Sequence, residues 1–185
     1  LDGSRKAARE VLVEGAAGTG KTFTNLSFVY DYCINFPGSK VVLVRNQRTD
    51  MSETVLLEWE DAVLGSDHYT VRGKVQRRDR EKYTFHNGSE VICRGFDSET
   101  KLFSGQYHGV LFNEATELRN ENKWETLYRA TRAKLIHPGQ FRFLIAECNP
   151  REEWHWLNER ADTPRMKRIL TYLWDNPRWF DHERM

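Results

Sequence analysis

The 185-residue chain has little of what would mark a special class. Its three cysteines, Cys33, Cys93 and Cys148, are odd in number and lack paired ligand spacing, which argues against a disulfide framework and a cysteine-held zinc site. Thiols used this way belong to a reducing compartment. Five prolines and no low-complexity tract argue against a proline-rich spacer or a disordered chain. No apolar run approaches the roughly 20 residues that a membrane-spanning helix needs. Neither sign of charge dominates, since 28 Lys and Arg face 27 Asp and Glu for a net of +1. That balance excludes a uniformly basic, chromatin-type protein but leaves room for a local basic site. What is present, 30% charged and 12% aromatic residues, suits one folded domain with a substantial core.

Hydrophobic patterning predicts alternating strands and helices. Val11–Val13 reads as a strand, and Gly15–Gly20 as a loop before a helix with Phe23, Leu26, Tyr30 and Cys33 on one face. Pro37-Gly38 stops that helix. The run Val41–Val44 then reads as a strand covered on both faces, as in a parallel sheet. Asp50 with Glu53 marks the next helix start, and Leu56, Trp59 and Val63 form its stripe. Asn87-Gly88 between Tyr83–Phe85 and Val91–Cys93 predicts a small antiparallel hairpin with a two-residue turn, inserted into the alternation. A strand at Val110–Phe112, a helix carrying Trp124, Leu127 and Tyr128, and a strand at Phe141–Ala146 follow. A helix starting near Asn149-Pro150 and a last strand at Ile169–Leu173 complete the order. The sum is an α/β fold with a mainly parallel central sheet flanked by helices.

Two stretches carry chemistry. Gly15-Ala16-Ala17-Gly18-Thr19-Gly20-Lys21-Thr22 matches the phosphate-loop pattern G-x-x-x-x-G-K-[ST] between a predicted strand and a predicted helix. Its glycines let backbone N–H groups curl around phosphate oxygens, helped by the partial positive charge of the helix N-terminus. Lys21 is then the residue for the β and γ phosphates of ATP, and the Thr22 hydroxyl a ligand for Mg²⁺. The second stretch, Gly109-Val110-Leu111-Phe112-Asn113-Glu114, is an apolar strand ending in a polar pair. Glu114 suits the orientation or deprotonation of an attacking water, with capping of a following helix as the simpler alternative. Asn113 stands where an aspartate usually helps to hold Mg²⁺, and offers only a neutral carbonyl oxygen, so metal binding is weaker or nearby acids compensate.

From the phosphate loop onward the chain resembles the N-terminal ATPase domain of the large terminase subunit of tailed bacteriophages. The resemblance is carried by Val41–Asn46, Arg94-Gly95-Phe96-Asp97, Phe112–Leu118, Cys148-Asn149-Pro150 leading to Trp154–Leu157, and Leu170-Thr171-Tyr172 with Asp175-Asn176-Pro177. It implies a P-loop NTPase fold of the additional-strand, catalytic-glutamate type and ATP hydrolysis with Mg²⁺. It also implies a homo-oligomeric ring that moves double-stranded DNA through the portal protein of a procapsid, together with a small terminase subunit, in the host bacterial cytoplasm. Residue by residue, Lys21 and Thr22 take the phosphate and metal roles and Glu114 becomes the catalytic carboxylate. Asn149 falls on the segment that couples nucleotide state to motion, with helix capping as its other reading. The implied boundary puts the ATPase domain at 1–174 and the start of a linker at 175–185, towards a nuclease half that this chain does not include.

Two departures from the family stand out. Ala16 and Ala17 occupy phosphate-loop positions where many members carry an arginine, and Lys101–Gly105 lacks the arginine that others place before the acidic strand. The arginine finger is left unassigned, with Arg94, Arg129 and Arg132 as candidates. Arg72, Lys74, Arg77, Arg78 and Arg80 crowd a segment that ends at Lys82, with a local excess of four positive charges. They suit a DNA phosphate backbone, and equally a solvated loop or a face towards a neighbouring subunit. Other functions that the same residues allow are a helicase or recombinase-like ATPase and a nucleotide-binding module with negligible hydrolysis.

Overall fold

The computed structural model describes residues 9–52, 54–65, 71, 81–96, 102–150 and 152–176. Among them a seven-stranded sheet forms the middle layer. Strand β1 (Arg9–Gly15) leads through the phosphate loop into helix α1 (Lys21–Asn35), and β2 (Lys40–Arg45) follows. A 3₁₀ turn (Thr49–Met51) precedes α2, which opens as Val55–Leu57 and winds out into a π-helix over Glu58–Leu64. Next come β3 (Lys82–Thr84), β4 (Glu90–Gly95), β5 (Gly109–Asn113), a 3₁₀ turn (Ala115–Glu117) and α3 (Glu121–Ala130). The order closes with β6 (Phe143–Cys148), α4 (Trp156–Ala161), β7 (Met166–Thr171) and a 3₁₀ turn (Leu173–Asp175).

The spatial order is β3-β4-β2-β5-β6-β1-β7, parallel throughout except for β3 against β4. Strand β6 therefore lies between β1, which ends in the phosphate loop, and β5, which ends at Asn113. The period-2 geometry of a strand sends successive side chains to opposite faces, and both faces are covered here. Val13, Val41, Leu43, Leu111, Phe143 and Ile145 pack with Leu26, Val29, Tyr32 and Trp59 on the α1/α2 side. Leu12, Val42, Val44, Val110, Phe112, Leu144 and Ala146 pack with Trp124, Leu127 and Leu157 on the other. That double covering is why these strands read as unbroken apolar runs.

Three local expectations differ from the structure. The buried stripe of α1 is Leu26, Val29, Tyr32 and Cys33, while Phe23 is exposed, because the first turn of α1 faces the phosphate loop rather than the core. The hairpin loop holds three residues, His86, Asn87 and Gly88. Phe85 N–H donates to Ser89 O at 2.9 Å, Gly88 N–H donates to Phe85 O at 3.1 Å, and Gly88 takes φ 85, the geometry of a turn closed by a left-handed residue. The hairpin also continues the central sheet, since β4 pairs in parallel with β2 through Val41↔Val91 and Leu43↔Cys93. Finally, Asn149-Pro150 does not open a helix. Helix α4 starts at Trp156, capped by His155, whose Nδ1 accepts from Leu157 N–H.

All three cysteines are buried and free. Burial holds the Cys33 thiol far above its usual range and pushes Cys93 and Cys148 up to about 12. A thiol is nucleophilic only as thiolate, so Ellman's reagent at pH 8 is expected to leave all three unmodified in the native protein and to titrate three after denaturation. Rapid native labelling of any of them would contradict the packing.

Candidate active site

A cavity of about 490 Å³ opens at the carboxyl ends of the sheet strands, lined along one wall by the loop and first turn from Ala17 to Thr24 and elsewhere by Glu58, Glu114, Glu147, Asn149, Asp175 and Asn176. The phosphate-loop residues meet there as their pattern predicts. Gly15 closes β1, where a Cβ would collide with Thr171 of β7. Gly18 and Gly20 take φ of 83 and 84, the left-handed conformation that lets the loop turn back into α1.

The loop is tied from behind. Thr171 Oγ1 lies 3.0 Å from Thr19 Oγ1 and donates to Glu14 O, and Asn176 Nδ2 donates to Gly18 O at 2.7 Å. Asp175 and Asn176, which the sequence reading assigns to a linker, thus line the cavity. The Lys21 ammonium is buried against the loop, donating to Gly15 O at 2.8 Å, Ala16 O at 2.9 Å and Asn149 Oδ1 at 3.2 Å. The amide of Asn149 therefore serves the phosphate loop, not the start of a helix.

Glu114 follows the last residue of β5 with φ 57 and ψ 51, and it is the sole non-glycine at positive φ among the described residues. That conformation is costly for a glutamate and is found where surrounding structure imposes it, often at functional sites. Here it breaks the strand direction, so that the carboxylate lines the cavity. Asn113, one residue earlier, is buried behind it.

Glu147, at the end of β6, is the acid that sequence reasoning passes over. Its side chain is 3% exposed. It accepts hydrogen bonds from the Thr22 hydroxyl, from Asn25 Nδ2 at 2.9 Å and from Asn113 Nδ2 at 3.2 Å. Burial raises its carboxyl above the usual carboxylate range, against the bonds from Thr22 and Asn25 and the charge of Lys21, which draw it down; Glu114 adds to the rise. The signal that could have found it is the one that marks Glu114, an acid closing an apolar strand just before a motif residue, here Asn149.

The arginine candidates stay away from the cavity lining. Arg94 pairs with Glu81 at 3.6 Å, and Arg129 and Arg132 are exposed. Arg72, Lys74, Arg77, Arg78 and Arg80 lie outside the described residues. Lys82, which ends that basic segment, pairs with Glu90 at 2.8 Å.

The chain matches the family described as phage terminase large subunit over residues 7–178. No curated protein matches it. Among solved structures it is similar to the large terminase from a thermophilic bacteriophage, with TM-score 0.71, 16% identity, and coverage of 94% of this chain and 43% of that one. The same phage protein in complex with ADP gives TM-score 0.69, 17% identity, and coverage of 91% and 41%. The large terminase ATPase domain of Thermus phage P74-26 gives TM-score 0.63, 15% identity, and coverage of 97% and 82%. The chain thus spans less than half the length of the first of these proteins and most of the separate ATPase domain.

Proposed function

Because this chain belongs to the phage terminase large subunit family, we propose that it is the ATPase motor domain of a DNA-packaging enzyme, coupling ATP hydrolysis to movement of double-stranded DNA into a procapsid. The observation that carries this reading is the convergence of Lys21, Thr22, Glu114 and Asn149 on one cavity at the carboxyl ends of a parallel sheet, where α/β sheets bind ligands. The complex of the thermophilic phage terminase with ADP supports a nucleotide as the ligand.

Loop N–H groups and the N-terminus of α1 receive the phosphates, and Lys21 exchanges its carbonyl acceptors for phosphate oxygens. Glu114 orients the attacking water and takes its proton. Asn149, bonded to Lys21, passes a change at the γ phosphate to the segment between β6 and α4. The donor set suits a hard cation, because Thr22 offers a hydroxyl, Asn113 a side-chain carbonyl and Glu147 a carboxylate, all of them oxygen. Among the described residues no group of three or more His, Cys, Asp or Glu could hold a metal, so Thr22, Asn113 and Glu147 would hold Mg²⁺ together with the phosphates of a bound nucleotide. When bound it supplies positive charge beside the phosphates.

Among the described residues the cavity lining contains no arginine, and the arginine that completes the site is assigned to a position outside them or to a neighbouring subunit of a ring. Arg72, Lys74, Arg77, Arg78 and Arg80 are assigned to the DNA backbone, and the portal protein and small terminase subunit are the remaining partners, in the host cytoplasm. Asn113 favours a second reading, a nucleotide-binding module with little turnover.

Binding of a fluorescent ADP analogue tests the nucleotide site. Lys21→Ala is expected to weaken it roughly 10- to 100-fold, the scale of a lost hydrogen bond to a charged group. A chain that binds no nucleotide would sink the proposal. Adding procapsids and DNA should then stimulate ATP turnover, whereas strand separation would point to a helicase.

A further inference from the structure

Glu147 and Asn113 are direct partners in the β5–β6 register, and Glu147 also faces Val13 of β1. Register partners on parallel strands project to the same face about 4.8 Å apart, which for this pair is the face covered by α1. The Glu147 carboxylate reaches Thr22 from there, and the three side chains named around it, Thr22, Asn25 and Asn113, are all neutral donors. No cation lies within ion-pair distance of Glu147 among the described residues. Lys21 donates instead to Gly15 O, Ala16 O and Asn149 Oδ1. A carboxylate removed from water with no cation in contact is costly, and Lys21 acts on it only from beyond ion-pair distance, so a site built this way calls for a cation.

We propose that Glu147 supplies, from the neighbouring strand, the negative charge beside the nucleotide-bound cation that an aspartate at position 113 would otherwise supply. The assignment rests on the nucleotide-site reading above. The residues at positions 113 and 147 explain each other. Two carboxylates at the separation of Asn113 Nδ2 and Glu147 Oε1, 3.2 Å, could not both ionise readily; with Glu147 in place, position 113 is better served by an amide that donates to it. Glu147, on β6, stands one strand nearer to β1 and the phosphate loop than Asn113 on β5, and its carboxylate meets the phosphate-loop threonine directly. By taking the Thr22 hydrogen, Glu147 also leaves the lone pairs of that hydroxyl to face a metal. Glu147 is thus a positioning residue for Thr22 and a source of charge beside the metal.

The test is the affinity of a fluorescent ADP analogue, measured in saturating Mg²⁺ and in EDTA. The original chain, Glu147→Gln and the exchanged pair Asn113→Asp/Glu147→Gln are compared. Glutamine keeps the size and most of the hydrogen bonding of Glu147, and unchanged affinity in EDTA reports an intact loop. The tightening by Mg²⁺ is expected to fall roughly 10-fold or more in Glu147→Gln, the scale of an interaction with a charged group, and to return in the exchanged pair. Undiminished Mg²⁺ dependence in Glu147→Gln overturns the proposal, as does failure of the exchanged pair to recover when its EDTA affinity is intact. Loss of affinity in EDTA as well as in Mg²⁺ for Glu147→Gln also overturns it, because Glu147 then serves only to hold the loop. If the original chain binds the analogue in neither buffer, the nucleotide-site reading itself fails and this assignment fails with it.

Discussion

Replacing Glu114 with Gln is expected to lower ATP turnover by about 100- to 10,000-fold, the range for removal of a general base, while nucleotide affinity stays within a few-fold. Glutamine keeps the length and planarity of the side chain and its place on the cavity wall, so binding through the phosphate loop should persist. What it loses is the capacity to take a proton from water. The backbone at Glu114 makes the position specific. At φ 57 the chain leaves the line of β5 and turns into the 3₁₀ segment Ala115–Glu117, where Glu117 N–H donates to Glu114 O at 2.9 Å. Glu117, three residues on, cannot stand in, since its carboxylate pairs with Arg45 at 3.4 Å. Steady-state turnover and equilibrium binding, measured on the same preparation, separate the outcomes. Normal turnover by Glu114→Gln would remove this residue from the catalytic role. Tight binding without turnover by the unsubstituted chain, even in the assembled ring, would select the nucleotide-binding module.

The parts of this site that could be read from sequence are those encoded locally. Gly15–Thr22 carries its chemistry in eight consecutive residues, and Asn113-Glu114 in an apolar strand with a polar end. Glu147 is different in kind. It meets Thr22 across 125 residues and Asn113 across 34, and only the insertion of β6 between β1 and β5 turns an isolated glutamate into part of the cavity lining. Asn149 shows the converse error. Asn-Pro is a sound helix-start signal by local propensity, but the hydrogen bond to Lys21, 128 positions away, outweighs it and the helix waits until Trp156. The hairpin was legible from Asn87-Gly88, but its parallel partner β2 was not, because the alternating burial of β4 shows which face is covered and not which strand lies alongside. The way Thr171 and Asn176 brace the phosphate loop is likewise long-range, at separations of 152 and 158.

At the opposite end of β1, replacing Arg160 with Ala is expected to destabilise the fold by about 3–5 kcal/mol, the cost of leaving one member of a buried ion pair uncompensated. The guanidinium of Arg160, on α4, meets Glu10 in a two-point contact, Nε to Oε2 at 2.6 Å and Nη2 to Oε1 at 2.9 Å. Both side chains are at most 5% exposed, so water screens the pair little. Trp124 Nε1 donates to the same Glu10 oxygen at 2.8 Å, and Arg160 also holds Glu121 and Glu125 of α3. The group therefore ties α3 and α4 to one strand. With alanine, Glu10 keeps Trp124 but loses its counter-charge, and protonating it or admitting water only partly offsets the loss. For a chain of this length the melting temperature should fall by roughly 6–20 °C, measurable by circular dichroism alongside urea unfolding. Pairing Glu10→Gln with Arg160→Met should recover much of the loss, since it leaves no buried charge uncompensated and the glutamine carbonyl can still accept from Trp124 Nε1. Glu10 lies five residues before Gly15, at the far end of β1 from the phosphate loop, so nucleotide affinity below the transition should be unchanged. A weakened nucleotide site in folded Arg160→Ala would mean that this anchor also sets the position of β1 beneath the loop.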